Sequence, residues 1–142
     1  MQPQAEPLAP FNCRATAAVM HSGASIALAG HVAAIAALLP ISKGGPAAWI
    51  AFSSLLVWSL GVYLAIRVQM DARFFDLLAI HPAEQLDRFL ETAGFRKQIP
   101  DRTVAERQRG ALRLWRALVF ATATQIVLLF LAIFCLRACL PN

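Results

Sequence analysis

The sequence predicts an all-α protein: an integral membrane helical bundle of three transmembrane helices, with a helical cytoplasmic segment between helices two and three. Three observations carry this. Residues 15–39, 47–66 and 117–136 contain no charged side chain, and about twenty apolar residues in helical form span the roughly 30 Å hydrocarbon layer of a bilayer. The composition is 58% hydrophobic and 15% charged, against about 25% charged in soluble domains. Finally, ten of the thirteen Lys and Arg residues lie between Arg67 and Arg116, and basic residues concentrate in loops that stay cytoplasmic.

Residues 1–14 read as a disordered tail, with Pro3, Pro7 and Pro10 and little apolar surface. The first span covers 15–40. Its apolar run exceeds the 7–15 residues of a secretory h-region, so an uncleaved helix is expected; cleavage after an alanine in the thirties would leave two spans. Between Thr16 and Leu39 it holds nine Ala, two Gly, two Ser and two His, with eight larger apolar residues. Insertion of such a segment is marginal and calls for partner helices. Gly23, Ala27, Gly30, Ala34 and Ala37 follow a 4-3-4-3 spacing and share one stripe, with Leu28, Val32, Ile35 and Leu39 roughly opposite. Small residues let helix backbones approach closely in lipid.

Residues 41–46 form a short external loop that forces an antiparallel hairpin. The second span, 47–66, carries a related stripe at Ala47, Ala51, Ser54, Gly61 and Ala65, interrupted by Trp58. Spans one and two are therefore expected to pack tightly, with Gly23, Ala27, Gly30, Ala34, Ala37, Ser54 and Gly61 as the packing residues. Trp49 and Tyr63 near the ends of span two, and Trp115 at the start of span three, suit headgroup levels, where an amphipathic ring meets both phases.

Residues 67–116 read as a cytoplasmic amphipathic helical hairpin. Arg67 and Asp71 have the i,i+4 spacing of a helical ion pair, so span two is expected to continue beyond the bilayer. Pro82 suits the first turn of a new helix, whose Leu86, Phe89 and Leu90 make an apolar face for a partner or for the hairpin itself. Thr103 to Glu106 has the capping-box pattern and opens a helix running into span three, 117–137. Residues 138–142 form an external tail. The N-terminus is thus expected inside and the C-terminus outside, in a bacterial inner membrane; abundant Ala and Arg suggest GC-rich bacterial coding.

Chemistry is sparse. His21 and His31 lie within span one, where an ionisable residue marks a functional hypothesis. Ten residues separate them, about 15 Å along a helix with azimuths about 80° apart, so they cannot share one metal. His31 is the one candidate for a cofactor, as a haem ligand completed by a second copy of the chain. Gln125, Thr122 and Thr124 make a polar patch in span three, read as interhelical hydrogen bonding. Arg109, Arg113 and Arg116 share a face leading into the membrane, an arrangement for anionic headgroups. The net charge of +5 does not indicate nucleic acid, because no aromatic platform accompanies the basic cluster. Cys13, Cys135 and Cys139 lack metal or redox spacing. Asp71, Asp76, Glu84, Asp87 and Glu91 lie on solvated helices without a nucleophile or apolar pocket, so no enzyme and no catalytic or metal site is expected.

The expected function is that of a non-catalytic accessory, assembly or scaffold subunit. Its partners would be the lipid bilayer and other membrane helices or a second copy of itself. An oligomeric small transporter or channel is the alternative, and a haem-binding electron-transfer subunit a further one.

Overall fold

A computed structural model describes residues 9–80, 92 and 104–139, and among them it contains helices and no strand. Helix α1 spans Ala9–His21, α2 Gly23–Lys43, α3 Gly45–Leu78 and α4 Val104–Cys139. Three stretches are long and apolar enough to cross a membrane: Asn12–Lys43, Gly45–Leu78 and Ala105–Ala138. The 34 residues of α3 and the 36 of α4 extend about 50 Å at 1.5 Å per residue, well beyond a 30 Å hydrocarbon layer.

The helical chain starts inside the segment read as a tail. Cys13, Thr16, Ala17 and Met20 recur at helical spacing and are all buried. Three of them join the core made by Leu64, Val68, Ala72 and Phe75 of α3 with Ala111, Leu118 and Ala121 of α4. That burial gives α1 a reason to be helical which its low apolar content concealed. Pro10 falls in the first turn, where a missing N–H removes no helical bond.

Between α1 and α2 the chain makes one turn at Ser22. Its hydroxyl donates to the Val19 carbonyl at 2.6 Å, and its own carbonyl accepts from the Ile26 N–H at 3.3 Å. A Ser–Gly pair is a common cause of a helix kink. At the other end α2 remains helical through Pro40 to Lys43, so the connection to α3 shrinks from the expected 41–46 to Gly44 alone. The turn rests on φ values of +74° at Gly44 and +70° at Gly45, a left-handed region that strains residues with a Cβ. Pro46 then occupies the first turn of α3.

Helix α3 packs against all three others, and α2 also packs against α4. Near the Gly44 turn the core is built from Ala37, Ala51 and Ala132, each with no exposed surface. Toward the opposite, Arg-rich end it is filled by larger groups, with Met20, Val68, Phe75 and Leu118 fully buried or nearly so. The outward faces reverse the usual pattern. Leu28, Val32, Ile35 and Leu39 of α2 are exposed, as are Trp49, Phe52, Leu56 and Leu60 of α3 and Phe120, Val127, Phe130 and Phe134 of α4.

Candidate functional site: an interhelical polar seam and a lateral groove

Midway along the bundle the small residues of α2 bring its backbone against α4. The Gln125 Nε2 amide donates to the Gly30 carbonyl at 2.8 Å. A Cβ on Gly30 would stand 3.2 Å from Gln125 Oε1, so the missing side chain is what lets the amide in. The Ser54 hydroxyl of α3 donates to the main-chain carbonyl of Gln125 at 3.4 Å. Gln125 is 2% exposed, and a buried polar group of this kind needs partners. The seam therefore ties the three long helices at one level.

Gly23 marks a second close approach, since a Cβ there would fall 3.0 Å from Val68 Cγ1 and 3.5 Å from Leu118 Cδ2. Gly23, Gly30, Ala34 and Ala37 are buried, and Ala27 is partly so. The stripe thus faces the chain's own α3 and α4 and leaves the larger residues of α2 outermost. Gly61 differs: no atom lies within 4 Å of the place its Cβ would take. It makes room rather than contact, beside a cavity of about 10 Å³ bordered by Gly30, His31, Trp58, Thr122 and Gln125. The Trp58 indole Nε1 is buried and has no hydrogen-bond partner among the described residues.

His31 stands at the edge of this seam. Its Nδ1 lies 2.6 Å from the Ala27 carbonyl oxygen. A carbonyl only accepts, so the ring proton sits on Nδ1, and in the neutral ring Nε2 carries the lone pair. The ring meets Trp58 edge to face, with centroids 5.7 Å apart and planes at 88°. His31 also borders a lateral groove of about 510 Å³ that continues along Val62, Ala65, Ile66, Gln69 and Met70 to Arg73.

A separate set of contacts clasps the Arg-rich end. His21 Nε2 lies 2.9 Å from Asp76 Oδ2 on α3, and the Trp115 indole of α4 donates to Ser22 Oγ at 3.2 Å. Arg107 lies over the Phe74 ring at 5.7 Å, joining α4 to α3 beyond the turn at Ser22. Sequence reasoning pairs none of these residues, because the partners are 33 to 93 positions apart.

Arg109, Arg113 and Arg116 are all exposed. Arg109 and Arg113 border a depression of about 360 Å³ with Glu106 and Gly110. Leu86, Phe89 and Leu90, the residues read as a partner-binding face, lie outside the described residues. Among the described residues, no three His, Cys, Asp or Glu side chains are grouped to hold a metal ion. No protein-family model, curated protein or solved structure matches this chain.

Proposed function

We propose that this chain is a multi-pass protein of a bacterial inner membrane, acting as a non-catalytic accessory, assembly or scaffold subunit through helix–helix contacts. One observation supports this reading above the others. The bundle turns its small residues inward, its large apolar ones outward, and uses its polar groups on itself. A water-soluble protein rarely leaves a contiguous apolar patch beyond a few hundred Å², whereas lipid is a suitable neighbour for Trp49, Phe130 and Phe134, each more than two-thirds exposed. Gln125 and Ser54 are engaged as interhelical links, and the space beside them is about 10 Å³, so the polar groups of the seam are used within the fold. What it offers to other molecules is surface.

Orientation follows from charge. The Arg-rich end, with Arg67, Arg73, Arg107, Arg109, Arg113 and Arg116, belongs in the cytoplasm, and the Gly44 turn with Lys43 belongs outside. Purification in mild detergent, followed by identification of co-eluting proteins, tests the reading. A stoichiometric membrane partner is the expected result. Solute flux by the purified protein alone in liposomes would replace it with the transporter reading.

A second reading has its own support. His31 holds Nδ1–H against a backbone carbonyl, the arrangement that fixes a ligating imidazole with Nε2 free. As a haem ligand it would require an axial partner from a second copy. A Soret band in the purified protein, lost in His31→Ala, would establish that role; its absence removes haem.

A further inference from the structure

The lateral groove has a direction. Along α3 it is lined by Val62, Ile66, Gln69 and Arg73, spaced by four, three and four residues and so aligned on one face of the helix. Arg73 stands eleven residues beyond Val62, about 16 Å at 1.5 Å per residue, so the groove runs from the last turns of the span expected at 47–66 outward through the headgroup layer. One end stops beside His31, level with the polar seam. The other ends at Arg73, which is exposed and has no carboxylate partner among the described residues. The neighbouring carboxylate on that face, Asp76, is engaged by His21.

We infer that the groove is a binding site for one anionic phospholipid of the leaflet at the Arg-rich end. The upper part of an acyl chain lies along Val62 and Ile66, and the phosphate is held by Arg73, reaching back toward the bilayer, with the Gln69 amide beside it. The occupant follows from the order of apolar and cationic groups along the groove. It is apolar where it leaves the span expected at 47–66 and cationic at its outer end, on the side where headgroups stand. A guanidinium matches phosphate oxygens in a two-pronged, charge-assisted pair. A zwitterionic headgroup would bring a cation toward the excess of Arg at this end, and an apolar partner helix would leave Arg73 without a counter-charge. This site is distinct from the Arg109, Arg113 and Arg116 face of α4.

The inference rests on the membrane reading, and the two fail separately. Release of the chain by an alkaline carbonate wash, without detergent, would overturn the membrane reading whatever the lipid result. The lipid test uses the full chain in mild detergent, with phosphatidylglycerol or phosphatidylcholine of identical acyl chains added in equal amounts, and native mass spectrometry as the readout. The expected result is one retained phosphatidylglycerol, favoured about tenfold over phosphatidylcholine, the scale of one charge-assisted hydrogen bond. Arg73→Gln should abolish the preference and Arg73→Lys should keep part of it. The Arg109→Gln, Arg113→Gln double variant should retain it. Equal retention of the two lipids by the native chain, or an unchanged preference in Arg73→Gln, would overturn the assignment.

Discussion

The contact between Gly30 and Gln125 yields a prediction whose sign depends on a second residue. Replacing Gly by Ala inside a helix normally gains about 0.8–1 kcal/mol from helix propensity. At position 30 the new Cβ would meet Gln125 Oε1 at 3.2 Å, closer than such contacts ordinarily fall, while the Thr122 atoms stay at 3.9–4.0 Å. The amide must shift by a few tenths of an ångström and weaken its 2.8 Å bond to the Gly30 carbonyl. Interhelical hydrogen bonds in membranes contribute about 0.6 kcal/mol on average and about 1.7 at most. Gly30→Ala alone should therefore fall between stabilising by about 0.3 kcal/mol and destabilising by about 0.8, most or all of the propensity gain being lost. In a Gln125→Ala background the obstacle is gone, and the same substitution should stabilise by about 0.8 kcal/mol. The cavity left by Gln125→Ala is common to both arms and cancels, giving a coupling of about 1 kcal/mol. Reversible unfolding in mixed detergent micelles, followed by circular dichroism for the four proteins, measures it. Equal stabilisation by Gly30→Ala in both backgrounds would refute the packing argument.

Other substitutions separate contact from space. Gly23→Leu should destabilise by about 2–3 kcal/mol, as overpacking does, because Val68 and Leu118 already stand against that position; Gly61→Ala, where nothing is near, should be neutral or mildly stabilising in the same unfolding assay. His21→Ala should cost no more than about 1 kcal/mol, since the Asp76 pair is substantially exposed on both sides; a larger loss in thermal unfolding would show that the clasp carries more of the fold. For orientation, a reporter fused after Gly94 should behave as cytoplasmic and one after Asn142 as external, and the opposite pattern would overturn the topology.

Much of the helical architecture is legible in the sequence because three long apolar runs, each enough for a span, mark its long helices. A span needs about twenty apolar residues, which leaves an unmistakable pattern in composition. The hairpin register is legible as well: a turn at Gly44 and Gly45 sets His31 opposite Trp58 and Gly23 opposite Val68, and these pairs do meet. The same register does not set His21 opposite Asp76. The helix is interrupted at Ser22, between His21 and Gly23, and α1 has its own packing against α3 and α4, which local composition does not announce. Nor does any pattern identify the partner of Gln125. A glycine in an alanine-rich helix is one of many small residues until the amide 95 positions away is placed against it. The lateral groove is harder still to read, because the α3 residues that line it become a groove only once His31 of α2 closes one end.

The one-residue link at Gly44 bears on how the chain enters a membrane. The first helix is short of large apolar side chains, and its mean hydropathy of 2.0 rests largely on alanine. Joined to α3 through Gly44, it cannot be delivered to the bilayer independently of it. In the proposed topology the two enter as a folded-back pair, and Lys43 is the one charge the hairpin carries across. The second arm, richer in large apolar side chains, thereby brings in the first. Deleting residues 47–78 should leave the first helix outside the lipid in a microsomal insertion assay, and its unaided insertion would show that it needs no companion.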